Sequence, residues 1–196
     1  MQRARDLSDA TAGAIDAPGA GASAAAVERA AQVKLMIFDV DGVLTDGGLY
    51  YGPEGEIFKR FNALDGHGIK LLQQSGVETA LITARRSEIV VQRAKALGIT
   101  HVYQGAHDKR AVFEQLASTL GIAAGQCGFI GDDVIDLPIL IRVGFAASVA
   151  NGHPEVRRRA HYVTRNDGGR GAVRELCDLI LHAQGNYEAA LAPYLA

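Results

Sequence analysis

The chain has 196 residues, 48% hydrophobic and 21% charged, with a formal net charge of −2. That length and apolar share fit one domain with a sizeable core, and the near-neutral balance offers nucleic acid no electrostatic foothold. No apolar run reaches the length of a membrane span and the N-terminus lacks a secretory apolar stretch, so a cytoplasmic protein with no membrane or nucleic-acid partner is expected.

Residues 1–22 are rich in Ala, Gly, Ser and Asp without periodicity. The segment 1–30 reads as a flexible tail, within which Ser23 is a cap for a short helix ending near Ala31. An apolar run over 33–38, broken only by Lys34, then stops at Asp39-Val40-Asp41-Gly42. This is the pattern of a buried strand with two carboxylates at its carboxyl end. Strand alternation sets Asp39 and Asp41 on one side. Like charges so close are costly without a cation or a shared proton. A hard divalent cation with oxygen ligands is the simplest relief. A turn that merely closes the strand is the plainer alternative, and it leaves the downstream pattern unexplained.

Residues 48–61 set aromatic and β-branched runs on either side of Gly52-Pro53-Glu54-Gly55, which predicts a β-hairpin. Leu49, Tyr51, Ile57, Phe58 and Phe61 carry more apolar surface than a lone ribbon hides, so the hairpin needs a partner surface. The stretch 62–68 reads as a polar, glycine-containing loop leading to a helix over 69–74 that Gly76 ends. A buried strand over 77–82 ends at Thr83. A helix over 87–97 starts at a Ser87 cap and stops at Gly98. A short strand at 101–103 precedes a helix that Lys109 opens and Gly121 stops. A strand over 127–130 runs into Gly131-Asp132-Asp133. A helix around 136–142, strands at 145–149 and 162–163, and a helix over 172–182 complete the pattern. Residues 186–196 read as a C-terminal tail, which leaves 31–185 as the domain. Cys127 and Cys177 fall in apolar patterns and read as reduced core thiols. His67 reads as packing, and the other five histidines show no metal spacing.

Strands and helices alternate throughout, which predicts an α/β fold: a Rossmann-like doubly wound parallel sheet with a hairpin insertion. No GxGxxG or Walker sequence is present, so nucleotide binding has no signature. Asp39, Asp41, Thr83, Asp132 and Asp133 mark the carboxyl ends of separate strands, and Lys109 begins a helix between them. In a parallel sheet those ends share one edge and converge. A carboxylate nucleophile, a metal held by carboxylates, a hydroxyl and a lysine are the parts of phosphoryl transfer through an aspartyl-phosphate.

These stretches carry a family resemblance. Asp-Val-Asp-Gly-Val-Leu-Thr-Asp, Thr83, Lys109 and Gly-Asp-Asp-Val-Ile-Asp resemble, in order, the four motifs of the haloacid dehalogenase-like phosphatases. Over residues 33–182 the finer resemblance is to the capless phosphatases of 3-deoxy-D-manno-octulosonate (KDO) 8-phosphate. It rests on Leu-Asp-Gly-His-Gly-Ile-Lys-Leu-Leu, Gly-Asp-Asp-Val-Ile-Asp-Leu-Pro and Gly-Gly-Arg-Gly-Ala-Val-Arg-Glu at 168–175. Thr83-Ala84-Arg85 departs from the more usual Thr-Gly-Arg. Lys70 stands where many members carry Arg, which keeps the charge and loses a bidentate fork.

The resemblance implies Asp39 as nucleophile and metal ligand, and Asp41 as general acid and base with its backbone carbonyl on the metal. Asp132 is similar to the third ligand of Mg²⁺, and Asp133 and Asp136 to carboxylates that support the ligands. Thr83 and Lys109 are similar to phosphate contacts. Substrate contacts fall on Asp41, Asn62, Ala63, Leu64, Asp65, Gly66, Lys70, Arg85, Arg93 and Lys109. It further implies a small sugar phosphate as substrate, a place in lipopolysaccharide precursor synthesis and a homotetramer joined through the hairpins. A phosphatase for another acidic sugar phosphate, such as a nonulosonate 9-phosphate, is the nearest alternative. A non-catalytic oligomerisation module is the other, and the intact Asp39, Asp41, Lys109 and Asp132 argue against it.

Overall fold

The computed structural model describes residues 21–195. Six parallel strands form the central sheet: β1 (Leu35–Phe38), β4 (Glu78–Thr83), β5 (His101–Gln104), β6 (Cys127–Gly131), β7 (Phe145–Ser148) and β8 (Tyr162–Val163). Their order is β5-β4-β1-β6-β7-β8. β1 therefore lies near the middle, with the next two strands on one side and the last three on the other. This reversal of strand order is where open α/β sheets form a crevice beyond their carboxyl ends.

Both faces of the sheet are covered, as the unbroken apolar run of β1 demands. Met36 and Phe38 pack with α1 (Ala24–Ala30), α2 (Ala63–Gln74), α3 (Glu88–Leu97) and α7 (Ala172–Ala183). Leu35 and Ile37 pack on the opposite face with α4 (Lys109–Leu120), α5 (Leu137–Leu140) and α6 (Pro154–Arg157). Cys177 belongs to the first core and Cys127 to the second; both are buried free thiols. The sheet thus separates them, and they are not a disulfide pair. The hairpin stands apart as an antiparallel ribbon of β2 (Tyr50–Gly52) and β3 (Gly55–Phe58).

Four local readings change. The flexible tail expected over 1–30 lies outside the described residues up to residue 20. Beyond that, Ser23 caps α1 by accepting from the Ala26 amide, and Ala26 and Ala30 are buried, so the packed domain begins before residue 31. The loop expected over 62–68 is the first two turns of α2. Asn62 accepts from the Leu64 amide as its N-cap, and Gly66 and Gly68 lie inside the helix. A Cβ on Gly66 would run into Arg93 and Leu97, and one on Gly68 into the Arg174 backbone of α7. These glycines thus serve close packing of α2 and not a turn. Phe61 is only half exposed: it packs against the core and bridges to Thr45. The C-terminal segment is helical, because α8 (Tyr187–Leu191) lays Tyr187 and Ala190 on the core. Ala196 lies outside the described residues.

Candidate active site

β1 ends and the chain turns at once. Asp39 is still extended, and residues 40–44 form a tight turn in which Gly42 has φ +93°. Only glycine holds that conformation cheaply. A Cβ there would also collide with the Asp132 carboxylate, so Gly42 lets the first and last acidic loops meet.

Asp39 keeps the parity of Leu35 and Ile37 and faces the α4 side. Lys109, the first residue of α4, reaches it from that side. Its Nζ donates to Asp39 Oδ1 at 2.7 Å and to Asp136 Oδ1 at 2.6 Å, and all three residues are buried. Asp136 is saturated, since its Oδ2 accepts from the Asp132 and Asp133 amides at 3.0 and 3.3 Å. Asp133 turns to the Val134 amide as a helix cap. Asp136 therefore does more than support from behind: it is the direct partner of Lys109.

Carboxylate oxygens of Asp39, Asp132 and Asp136 lie within 4.8 Å of one another. Burial, and next the charge of Asp136, hold Asp39 well above the usual carboxylate range. Burial with the charges of Asp136 and Asp133 pushes Asp132 up to about 7. Burial works against the charge of Lys109, yet Asp39 and Asp136 outweigh it and raise it. An excess of buried negative charge, presented only by oxygens, fits a hard divalent cation. With both Asp136 oxygens committed, the carboxylates left to hold it are Asp39 and Asp132.

Asp41 leaves this cluster. Its Oδ1 accepts from Lys59 Nζ, and its Oδ2 is buried without a hydrogen-bond partner. Arg85 Nε approaches Oδ2 to 3.9 Å. Lys59 also pairs with Glu56 at 2.8 Å, Glu56 accepts from Ser87, and Tyr51 accepts from Arg85. The polar side of the hairpin is thereby fastened to the site. The sequence singles out neither Lys59 nor Glu56, and Tyr51 reads there only as apolar surface of the hairpin. No sequence signal marks Lys59; the structure shows it 8% exposed beside the exposed Ile57 and Phe58.

The remaining expected contacts separate into groups. Thr83 is buried at the end of β4, where its hydroxyl accepts from the Arg85 amide at 3.3 Å. Arg93 donates to the Asn62 carbonyl at 3.2 Å and lies over the Phe61 ring. Ala63 and Leu64 are exposed in the first turn of α2, and Gly66 is covered by Arg93. Asp65 does something else: its buried carboxylate accepts from the Gly171 and Arg174 amides and caps α7. Lys70 is exposed along a groove with Gln73, Gln74 and Lys95 that contains none of the acidic residues. His67 meets Tyr194 edge-on, in keeping with a packing role. Among the described residues no helix is long and apolar enough to cross a membrane.

Comparison with known proteins agrees with this arrangement. A family profile of haloacid dehalogenase-like hydrolases matches residues 97–176. The 3-deoxy-D-manno-octulosonate 8-phosphate phosphatase KdsC of Yersinia pestis is 50% identical over 164 residues, covering 84% of this chain and 88% of its own. The Escherichia coli K12 protein of the same name is 48% identical over 168 residues, 86% of this chain and 89% of its own. Among solved structures, the Moraxella catarrhalis phosphatase of that name, in complex with magnesium ion, phosphate ion and KDO, superposes with a TM-score of 0.84 at 44% identity. That match covers 86% of this chain and 97% of the other. With identity at this level over most of both chains, the sequence belongs to the 3-deoxy-D-manno-octulosonate 8-phosphate phosphatase family of haloacid dehalogenase-like hydrolases.

Proposed function

We propose that this protein is a Mg²⁺-dependent phosphatase that converts KDO 8-phosphate to KDO and inorganic phosphate, in the cytoplasmic supply of lipopolysaccharide precursors. The observation that carries the reading is 50% identity over 84% of the chain to a phosphatase named for that substrate.

Asp39 is the nucleophile. Its carboxylate oxygen attacks phosphorus, the bond from phosphorus to the sugar oxygen breaks, and a proton passes from Asp41 to that oxygen. Water then attacks the aspartyl-phosphate and gives its proton to Asp41, and phosphate leaves with Asp39 restored. Lys109, 2.7 Å from Asp39 Oδ1, holds the nucleophile and offsets charge on the phosphoryl oxygens. Thr83 offers those oxygens a hydroxyl. Asp39, Asp132 and the Asp41 backbone carbonyl would hold Mg²⁺, with Asp133 and Asp136 ordering the loop around them. When bound, the ion supplies positive charge that offsets the phosphate and the two carboxylates. Arg85, Arg93 and the first turn of α2 from Asn62 to Leu64 contact the sugar acid.

The assembly is a homotetramer. Leu49, Tyr51, Ile57 and Phe58 are 48–61% exposed on a ribbon of two strands. Packing hairpins together in a ring covers that surface, and a neighbouring subunit then roofs a site over which the described residues form no cap domain.

The test is release of phosphate from KDO 8-phosphate beside a panel of acidic sugar phosphates. Turnover is expected to be fastest on KDO 8-phosphate. Faster turnover of a nonulosonate 9-phosphate would move the substrate, and no turnover of any would leave a non-catalytic module.

A further inference from the structure

The hairpin supplies a charge to the site that the phosphoryl chemistry above does not use. Lys59 is 8% exposed and sits between Asp41 and Glu56. Burial opposes its charge, but its bonds to those two carboxylates outweigh burial and keep it an ammonium. It takes one oxygen of Asp41, Oδ1, and leaves Oδ2 buried without a hydrogen bond, facing only the Arg85 guanidinium at 3.9 Å. A buried carboxylate oxygen that accepts no hydrogen bond is costly, and such atoms in native folds call for a reason. Here the reason is directional. A carboxylate free to rotate presents either oxygen, or swings to the lysine at Asp39. Pinned at Oδ1, it presents only Oδ2.

We propose that Lys59 is the positioning residue of Asp41, holding its Oδ1 so that Oδ2 alone exchanges the proton with the leaving sugar oxygen and later with water. The inference rests on the reading of Asp41 as the acid. It gives the hairpin a catalytic consequence even within one subunit, since Glu56, itself held by the Ser87 hydroxyl, braces the same lysine from the other side.

A comparison of leaving groups tests it. An alkyl leaving group such as the KDO hydroxyl needs a proton as it departs, whereas 4-nitrophenolate does not. Single-turnover release of the leaving group is measured for both substrates on one preparation, so the folded fraction cancels in the ratio. Lys59→Met is expected to slow KDO release by about 10²-fold, the lower end of what general acid catalysis contributes. Release of 4-nitrophenolate should stay within about threefold, and KM for either substrate should change little. Lys59→Arg, which keeps the charge and a donor, should recover at least about tenfold of the lost rate. Equal loss on both substrates, or no loss on either, overturns the proposal while Asp41→Asn still discriminates between them. If Asp41→Asn itself fails to discriminate, the acid assignment falls first and the role of Lys59 with it.

Discussion

Asp39 and Asp41 are two residues apart in sequence and belong to different regions of the molecule. Asp39 is part of the sheet: it ends a strand hydrogen-bonded on both sides, and its partner Lys109 opens a helix buried against the same face. Asp41, in the turn after β1, is tied to the hairpin: its partner Lys59 follows β3, and the strands behind that lysine pair only with each other. The difference teaches where precision comes from. On the proposed mechanism, bond making at phosphorus would be held by a packed core, and proton handling would hang on a ribbon that is marginal alone and depends on what covers it.

The comparison breaks most sharply at the aspartates themselves. Asp39→Asn should lower turnover by at least about 10⁴-fold, because an amide forms no aspartyl-phosphate. Asp41→Asn should cost about 10²–10⁴-fold. Calorimetric titration then separates the two regions: Asp41→Asn keeps Mg²⁺ binding and Asp132→Asn loses it. Equal losses of affinity would mean that the Asp41 side chain, and not its carbonyl, is the ligand.

The hairpin is the next place to press. Ile57→Asp or Phe58→Asp puts charge on the exposed apolar face without touching Asp39. Light scattering should show the proposed tetramer dissociating, and activity should fall about tenfold as the ribbon loosens its hold on Asp41. Dissociation with full activity would show that one hairpin holds its own aspartate unaided. A fully active wild-type monomer near 20.7 kDa would remove the tetramer altogether.

The smallest effect sits in the sheet region and is read by thermal unfolding. Asp132 is held up to about 7 in the folded, metal-free protein, against about 3.9 in an unfolded chain. The folded state thus binds this proton more tightly. Its contribution to stability is fully present below about pH 3.9 and is lost as pH rises through about 7. Tm of metal-free protein should therefore fall by a few degrees between pH 5 and 8, and less in Asp132→Asn. Added Mg²⁺ should raise Tm more at pH 8 than at pH 5. A Tm independent of pH in both proteins would remove the strain assigned to this carboxylate.

What the sequence revealed follows the same division. The strand ends, the Gly98 and Gly121 stops and the Lys109 helix start are local, and they are legible because each is written in a few neighbouring residues. The convergence of Asp39, Lys109 and Asp132 followed from a parallel sheet alone. Long-range partners were not legible. Asp65 is a substrate contact by the family resemblance alone, yet its carboxylate caps a helix whose Arg174 amide is 109 residues away. Gly66 and Gly68 signalled a turn when the constraint was another helix pressing on them. Lys59 carries no reading at all, since nothing near it in sequence indicates that the ribbon folds its charge inward onto Asp41.

The position of β1 has a consequence for the newborn chain. Leu35 pairs with Glu78 on one side and with Cys127 on the other. The second partner is made about 90 residues later, roughly 5–20 s at the pace of synthesis. Until then Leu35-Met36-Ile37-Phe38 is an apolar strand with one edge open even after β4 is made, the sort of segment that joins other chains edge to edge. No early fragment can bury it on both sides, and contacts this distant in sequence close slowly. The central placement that gathers the aspartates thus leaves the emerging polypeptide dependent on swift completion, or on a chaperone's cover until Cys127–Gly131 arrives.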